Sequence, residues 1–232
     1  MRLLLSCVIL TLFLCHSVPA FAGEAAPFSD GEVLTYEITW PSGLSLGETS
    51  FTARATPTGW NFETRVSANL PTLAISDEYR ASADAEFCSL KLEKKVRHGK
   101  REVDETVTYD QTKRLAHRKN RNGEASEVEI QPCTRDALTF LYVLRRELAS
   151  GRIPPPEDIN FGWQYQISMT YAESVEIEVG GEPVMADRML VDLTGPKSQR
   201  SFEVFVGRDK ARTPLLMRVP FELGTFSLKL LK

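Results

Sequence analysis

Period-two alternation of apolar and polar residues runs through most of the chain beyond residue 30. It constrains the fold more than any other feature. Leu34, Tyr36, Ile38 and Trp40 fall on one face of an extended segment, Phe51, Ala53 and Ala55 on the next. Trp60, Phe62, Thr64 and Val66 repeat the pattern after a turn at Thr58-Gly59. Alternation of this kind marks half-buried antiparallel sheet. Further strands are predicted at about 73–81, 83–88, 89–97, 101–110, 113–120 and 125–131. Their turns are marked by His98-Gly99 and Asn122-Gly123, the latter a strong hairpin signal. Later, Trp163, Tyr165, Ile167, Met169 and Tyr171 alternate, and Val175, Ile177 and Val179 lead to a turn at Gly180-Gly181. Strands at about 188–194, 200–207, 215–222 and 224–231 complete the pattern.

One segment departs from it. Thr134 to Leu148 reads as a helix, with Thr134 as its cap and Asp136 in the first turn, where the dipole favours an anion. Arg145 and Arg146 fall in the last turn, and Gly151 can end it. Ala137, Leu141, Leu144 and Leu148 share a face, and Leu138, Phe140, Tyr142 and Val143 widen it to most of the circumference. Such a helix is packed inside something. Pro154-Pro155-Pro156 then forms a stiff extended linker. The predicted fold is mainly β: a strongly curved antiparallel sheet or open barrel of about a dozen strands, with one buried helix at about 134–149 against its concave face. Sheets this large curl or close, because flat ones expose edges.

The first residues carry an address. Arg2 precedes a continuous apolar run from Leu3 to Cys15, and Ala20-Phe21-Ala22 supplies the small residues a signal peptidase accepts. The run is well short of the roughly 20 residues a membrane span needs. Residues 1–22 therefore read as a cleaved signal peptide, with a mature start near Gly23 and a β-rich domain over 23–232. Lipidation at Cys15 would need a small residue before it, and Leu12-Phe13-Leu14 lack one. No later segment is long and apolar enough for a transmembrane helix, so the expected location is periplasmic or secreted.

Beyond the leader two cysteines remain, Cys88 and Cys133. In an oxidising compartment they read as one disulfide. Zinc held by Cys88, Cys133, His98 and His117 is the rival, although structural zinc sites use tightly spaced ligand pairs. Charge is uneven: residues 91–121 carry 11 basic and 5 acidic side chains, residues 1–90 carry 4 and 10, and residues 122–232 carry 13 and 16. The basic block could meet anionic lipid head groups or glycans. It could equally be solvated strand surface that guards sheet edges. Export removes nucleic acid as a partner.

Catalytic signals are few. Gly43-Leu44-Ser45-Leu46-Gly47 matches the GxSxG nucleophile elbow, but an extended segment follows it where a hydrolase has a helix. The last histidine is His117, too early for the usual order of serine, acid, histidine. His98 and His117 are expected to face solvent. There is no HExxH, phosphate loop, dinucleotide fingerprint or EF-hand, and no metal or cofactor is expected. The aromatics are the better lead: Trp40, Trp60, Phe140, Trp163 and Tyr165 could line a cavity or a sugar platform, or simply pack the core.

Three groups of residues together resemble a known family. Gly31-Glu32-Val33-Leu34-Thr35-Tyr36 with Gly47 is similar to the opening of bacterial domain-of-unknown-function family 3108. So is Asp136-Ala137-Leu138 with Leu141-Tyr142-Val143-Leu144-Arg145. Phe202-Glu203-Val204-Phe205 with Asp209, Pro214, Gly224 and Leu230 matches its end, except that Phe205 stands where tryptophan is expected. The resemblance spans about residues 30–231. It implies an exported envelope protein with a mostly antiparallel sheet, and it carries no catalytic residues. Three functions stay open: a non-enzymatic binding protein for a lipid, acyl chain or glycan; an assembly factor contacting other envelope proteins; and a serine hydrolase using Ser45.

Overall fold

The computed structural model describes residues 26–70, 73–161, 163–196, 198–221 and 224–231; the expected signal peptide and the start at Gly23 lie outside the described residues. The first half of the chain is a meander: β1 (Glu32–Thr39), β2 (Ser45–Thr56), β3 (Gly59–Leu70), β4 (Leu73–Asp84), β5 (Ser89–His98), β6 (Arg101–Asp110), β7 (Leu115–Asn120) and β8 (Ala125–Glu129). Then come β9 (Arg135–Asp136), α1 (Ala137–Ala149) and β10 (Glu157–Asn160). A second meander follows: β11 (Gln164–Val179), β12 (Glu182–Gly195), β13 (Ser198–Gly207), β14 (Pro214–Phe221) and β15 (Gly224–Leu230).

All fifteen strands form one sheet, in the order β8-β7-β6-β5-β4-β3-β2-β1-β15-β14-β13-β12-β11-β10-β9. The first and last strands therefore pair at its centre, with Tyr36 opposite Leu230 and Ile38 opposite Leu228. Every pairing is antiparallel except that of β9 with β10. The sheet is open, with β8 and β9 at its ends. It curls far enough to bring its β9 edge against β5, where Ser89 N donates to Thr134 O at 3.1 Å. Phe161, just beyond β10, reaches Tyr79 of β4, ring centroids 5.4 Å apart.

Several sequence expectations are refined. The strand expected at 83–88 does not exist separately: β4 runs to Asp84, whose Oδ1 then accepts from Glu86 N and Cys88 N and turns the chain. The helix starts at Ala137, three residues later than expected, because Asp136 caps it and Thr134 does not. Asp136 Oδ1 accepts from Leu138 N and Thr139 N, both at 2.9 Å, whereas the Thr134 hydroxyl donates to Gln131 O. Leu141 is only half-buried, while Leu138, Phe140, Tyr142, Val143, Leu144 and Arg145 are buried.

A β-bulge between Tyr171 and Glu173 changes which face the later residues of β11 occupy. Ile167 and Met169 pack with Met189 and Val191 on the concave side. Beyond the bulge, Val175 and Ile177 pair with Ala186 and Val184 and join Phe205 and Leu216 on the opposite side. The hairpin is closed by Gly180 and Gly181, both at positive φ (62° and 86°), the backbone that a two-residue turn requires.

Candidate ligand site on the concave face

Two of the three clusters on the concave face are built around α1. In the first, Leu138, Tyr142 and Val143 meet Phe28, Phe62, Phe87 and the alanines of β2 and β4. Tyr142 stacks on Phe62 with centroids 4.0 Å apart, and Phe28 stands edge-on to both Tyr142 and Trp60. In the second, Phe140 and Leu144 meet Tyr36, Ile159, Ile167, Met169, Met189 and Val191.

Polar contacts fix the helix in this position. The Cys88–Cys133 disulfide, with Cα atoms 4.6 Å apart, ties the chain just before β9 to the β4–β5 turn. Next to it Ser89 Oγ donates to Asp136 Oδ2 at 2.6 Å and accepts from Asp136 N, and the Thr139 hydroxyl donates to the same Oδ2. Burial pushes the Asp136 carboxyl above the usual carboxylate range, against its four donors, the Ser89 and Thr139 hydroxyls and the Leu138 and Thr139 amides. Toward the C-terminal end of α1, Arg145 is 1% exposed. Its Nη1 and Nη2 both donate to the Glu32 carboxylate, Nη2 at 2.9 Å, and its Nε donates to Ala211 O at 3.0 Å. The guanidinium also lies 5.0 Å from the Phe28 ring and 5.6 Å from that of Tyr142.

The third cluster contains no helix residue. Ile38, Leu46 and Ala68 are buried at its base; Trp40, Val66, Leu70, Ile75, Phe226 and Leu228 surround them only partly buried. Trp40 and Phe226 meet edge-on at 4.9 Å. Polar groups border this wall along β4 to β7. His98 Nε2 and Asp77 Oδ2 are 3.0 Å apart. The nearly buried Glu105 accepts from Arg118 Nε and Nη2, at 2.9 and 2.6 Å, and lies 3.6 Å from Lys94 Nζ. Lys94 Nζ in turn sits 5.0 Å from the Phe161 ring.

The five aromatic candidates are not all brought together. Phe140 and Tyr165 share the second cluster, Trp60 packs against the first, Trp40 stands in the third, and Trp163 is 50% exposed at the β10–β11 turn. Sequence reasoning missed Val66, Ile75, Phe226 and Leu228. Their signal was their alternation phase, which places them on the same side as Trp40.

The disulfide replaces the zinc alternative, and both histidines hold acids. His98, its side chain 35% exposed, pairs with Asp77 on the concave side, where β5 sets it opposite Ile75; His117 lies 2.9 Å from Glu127. Among the described residues no group of three or more His, Cys, Asp or Glu could hold a metal ion. Ser45 is exposed at the start of β2. Gly47 is explained by packing, since a Cβ there would sit 2.0 Å from Ser67 O of the neighbouring strand. Open grooves of about 730 and 390 Å³ cross the outer face of β2 to β7. Some of the charges in and beside them pair, Arg65 and Arg80 with Glu63 and Glu78, and Arg97 with Glu102.

Residues 35–231 match the family described as protein of unknown function, DUF3108. The chain belongs to that family. Its fold is similar to the crystal structure of a β-barrel-like protein of domain of unknown function DUF1849 from Brucella abortus. That likeness has a TM-score of 0.63 and 10% identity, and covers 86% of this chain and 95% of that one. It bears on the fold alone. A candidate lipoprotein from Parabacteroides distasonis aligns over 88% of this chain and 95% of its own at 6% identity and a TM-score of 0.36, too low to carry an argument. No curated protein matches the sequence. Among the described residues no helix is long and apolar enough to cross a membrane.

Proposed function

We propose that this DUF3108 protein is an exported, non-enzymatic envelope protein that holds a lipid acyl chain on the part of its concave face that α1 leaves uncovered. The observation that carries the reading is the third cluster. Six large apolar side chains converge there only partly buried, with no helix residue over them. Covering them would recover roughly 25 cal/mol per Å² of apolar surface removed from water. The leader read at residues 1–22 supports export. An acyl chain fits better than a glycan because Trp40 and Phe226 spend their contact on each other edge-on and present no stacking platform. A second reading, assembly with other envelope proteins, is favoured by β8, an edge strand exposed at every position from Ala125 to Glu129.

Titration with a dansyl-labelled undecanoic acid tests the first reading. It predicts saturable binding at one site, competed by palmitate and weakened at least tenfold by Ile75→Glu in a variant that still melts cooperatively. No saturable binding, or an unchanged affinity in Ile75→Glu, would overturn it.

A further inference from the structure

The end of the sheet nearest the third cluster has the composition of a membrane-contacting rim. Antiparallel pairing gathers the β1–β2, β5–β6, β7–β8 and β10–β11 turns at that end. Leu44, in the β1–β2 turn, is 61% exposed, and Trp163, in the β10–β11 turn, is 50% exposed. Both side chains therefore present a large apolar surface to solvent at that end. A tryptophan there has the amphipathic ring that settles at lipid headgroup level.

The remaining turns supply charge. Residues 97–102 and 119–124 together carry five cations (Arg97, Lys100, Arg101, Lys119, Arg121) against two acids, Glu102 and Glu124. Arg97 is held by Glu102, and Glu124 by Asn120. Lys100, Arg101 and Arg121 are exposed and form no salt bridge among the described residues. Behind this rim Arg65 and Arg80 pair with Glu63 and Glu78, and Lys94 and Arg118 with Glu105, whereas Lys100, Arg101 and Arg121 in the turns form no ion pair among the described residues. The surplus positive charge of the 91–121 block is thus concentrated at the same end as the exposed Leu44 and Trp163.

We infer that this rim docks the protein on an anionic lipid bilayer, with Leu44 and Trp163 at headgroup depth, Lys100, Arg101 and Arg121 against acidic headgroups, and the open end of the concave face toward the membrane. The inference rests on the rim residues and is independent of the acyl-chain reading. A protein that bound no fatty acid would still dock.

The test is co-sedimentation of the exported protein with vesicles of phosphatidylcholine alone and of equimolar phosphatidylcholine and phosphatidylglycerol. Each basic residue near an anionic surface contributes about fivefold in affinity, so binding to the phosphatidylglycerol vesicles is expected to be at least tenfold stronger and to weaken as salt rises. Lys100→Glu with Arg101→Glu should abolish that preference. Leu44→Ser with Trp163→Ser should weaken binding to both vesicles at least tenfold. All four positions are exposed, so the variants should melt as the parent does. Tryptophan quenching by brominated phosphatidylglycerol in the unaltered protein gives an arm that no variant's folding can confuse. Equal binding to the two vesicles, no binding, unchanged variants or absent quenching would each overturn the inference.

Discussion

Replacing Arg145 by methionine should cost more stability than any other single change that preserves volume. The guanidinium is 1% exposed and the Glu32 side chain 14%. Both charges have therefore left water, and each depends on the other. Removing one partner of such a pair leaves the other buried and uncompensated, at a cost of about 3–5 kcal/mol. Methionine keeps the stem packed between Phe28 and Tyr142 but loses the cation–π contact, about 1 kcal/mol more. Glu32→Gln should be costly for the complementary reason. The double variant should cost less than the two singles together, by about 2 kcal/mol or more, because both charges are then gone. Urea unfolding followed by circular dichroism reads this directly. With a slope of about 2 kcal/mol per molar, Arg145→Met should lower the midpoint by about 2 M at unchanged slope. A loss under about 1 kcal/mol, or strict additivity with Glu32→Gln, would show that the pair does not hold α1 in the sheet.

Other consequences follow from the same contacts. Replacing Cys88 and Cys133 by alanine opens a 45-residue loop and should cost about 4 kcal/mol on the chain-entropy account; a thermal melt of the double variant that matched the parent's would contradict it. Asp136→Ala removes the helix cap and orphans the Ser89 and Thr139 hydroxyls, for a loss of about 3 kcal/mol. Asp136→Asn keeps an acceptor and should lose clearly less, a ranking that denaturant curves can reverse. Tyr36, Tyr109 and Tyr142 are buried and Tyr79 is partly buried, and desolvation raises each phenol above its ordinary value. The unfolded chain therefore releases these protons first. Stability should be full below about pH 10 and fall as pH rises beyond it. The absorbance of these four phenolates should then appear together with loss of circular dichroism; all six tyrosines ionising while the protein stays folded would contradict the burial.

Local features of this chain were legible because their causes are local. Leu34 to Trp40 and Trp60 to Val66 show their inward face by alternation alone, and Phe140 to Leu144 is too apolar for a surface helix. Cys88 and Cys133 are the two cysteines beyond residues 1–22. What stayed hidden depends on partners distant in sequence. The pairing of Tyr36 with Leu230 joins the two halves of the sheet at its centre, and no local pattern announces it. The odd-numbered residues from Tyr165 to Val179 look like one face, yet the bulge at Tyr171 divides them between two. Thr134 and Asp136 are both good caps by residue type. The choice fell to Asp136 because Ser89, 47 positions away, supplies a further hydrogen bond. The candidate site was half legible for the same reason. Bulky aromatics drew attention to Trp40, while Val66, Ile75 and Leu228 gain meaning only once β1, β3, β4 and β15 lie side by side.

The acyl-chain reading is most directly tested by mass spectrometry of organic extracts from protein exported to the periplasm and purified without detergent. The account predicts a co-purifying lipid near one per protein, lost from Ile75→Glu purified in the same way. Extracts free of lipid from the unaltered protein, together with no uptake of added fatty acid, would contradict it.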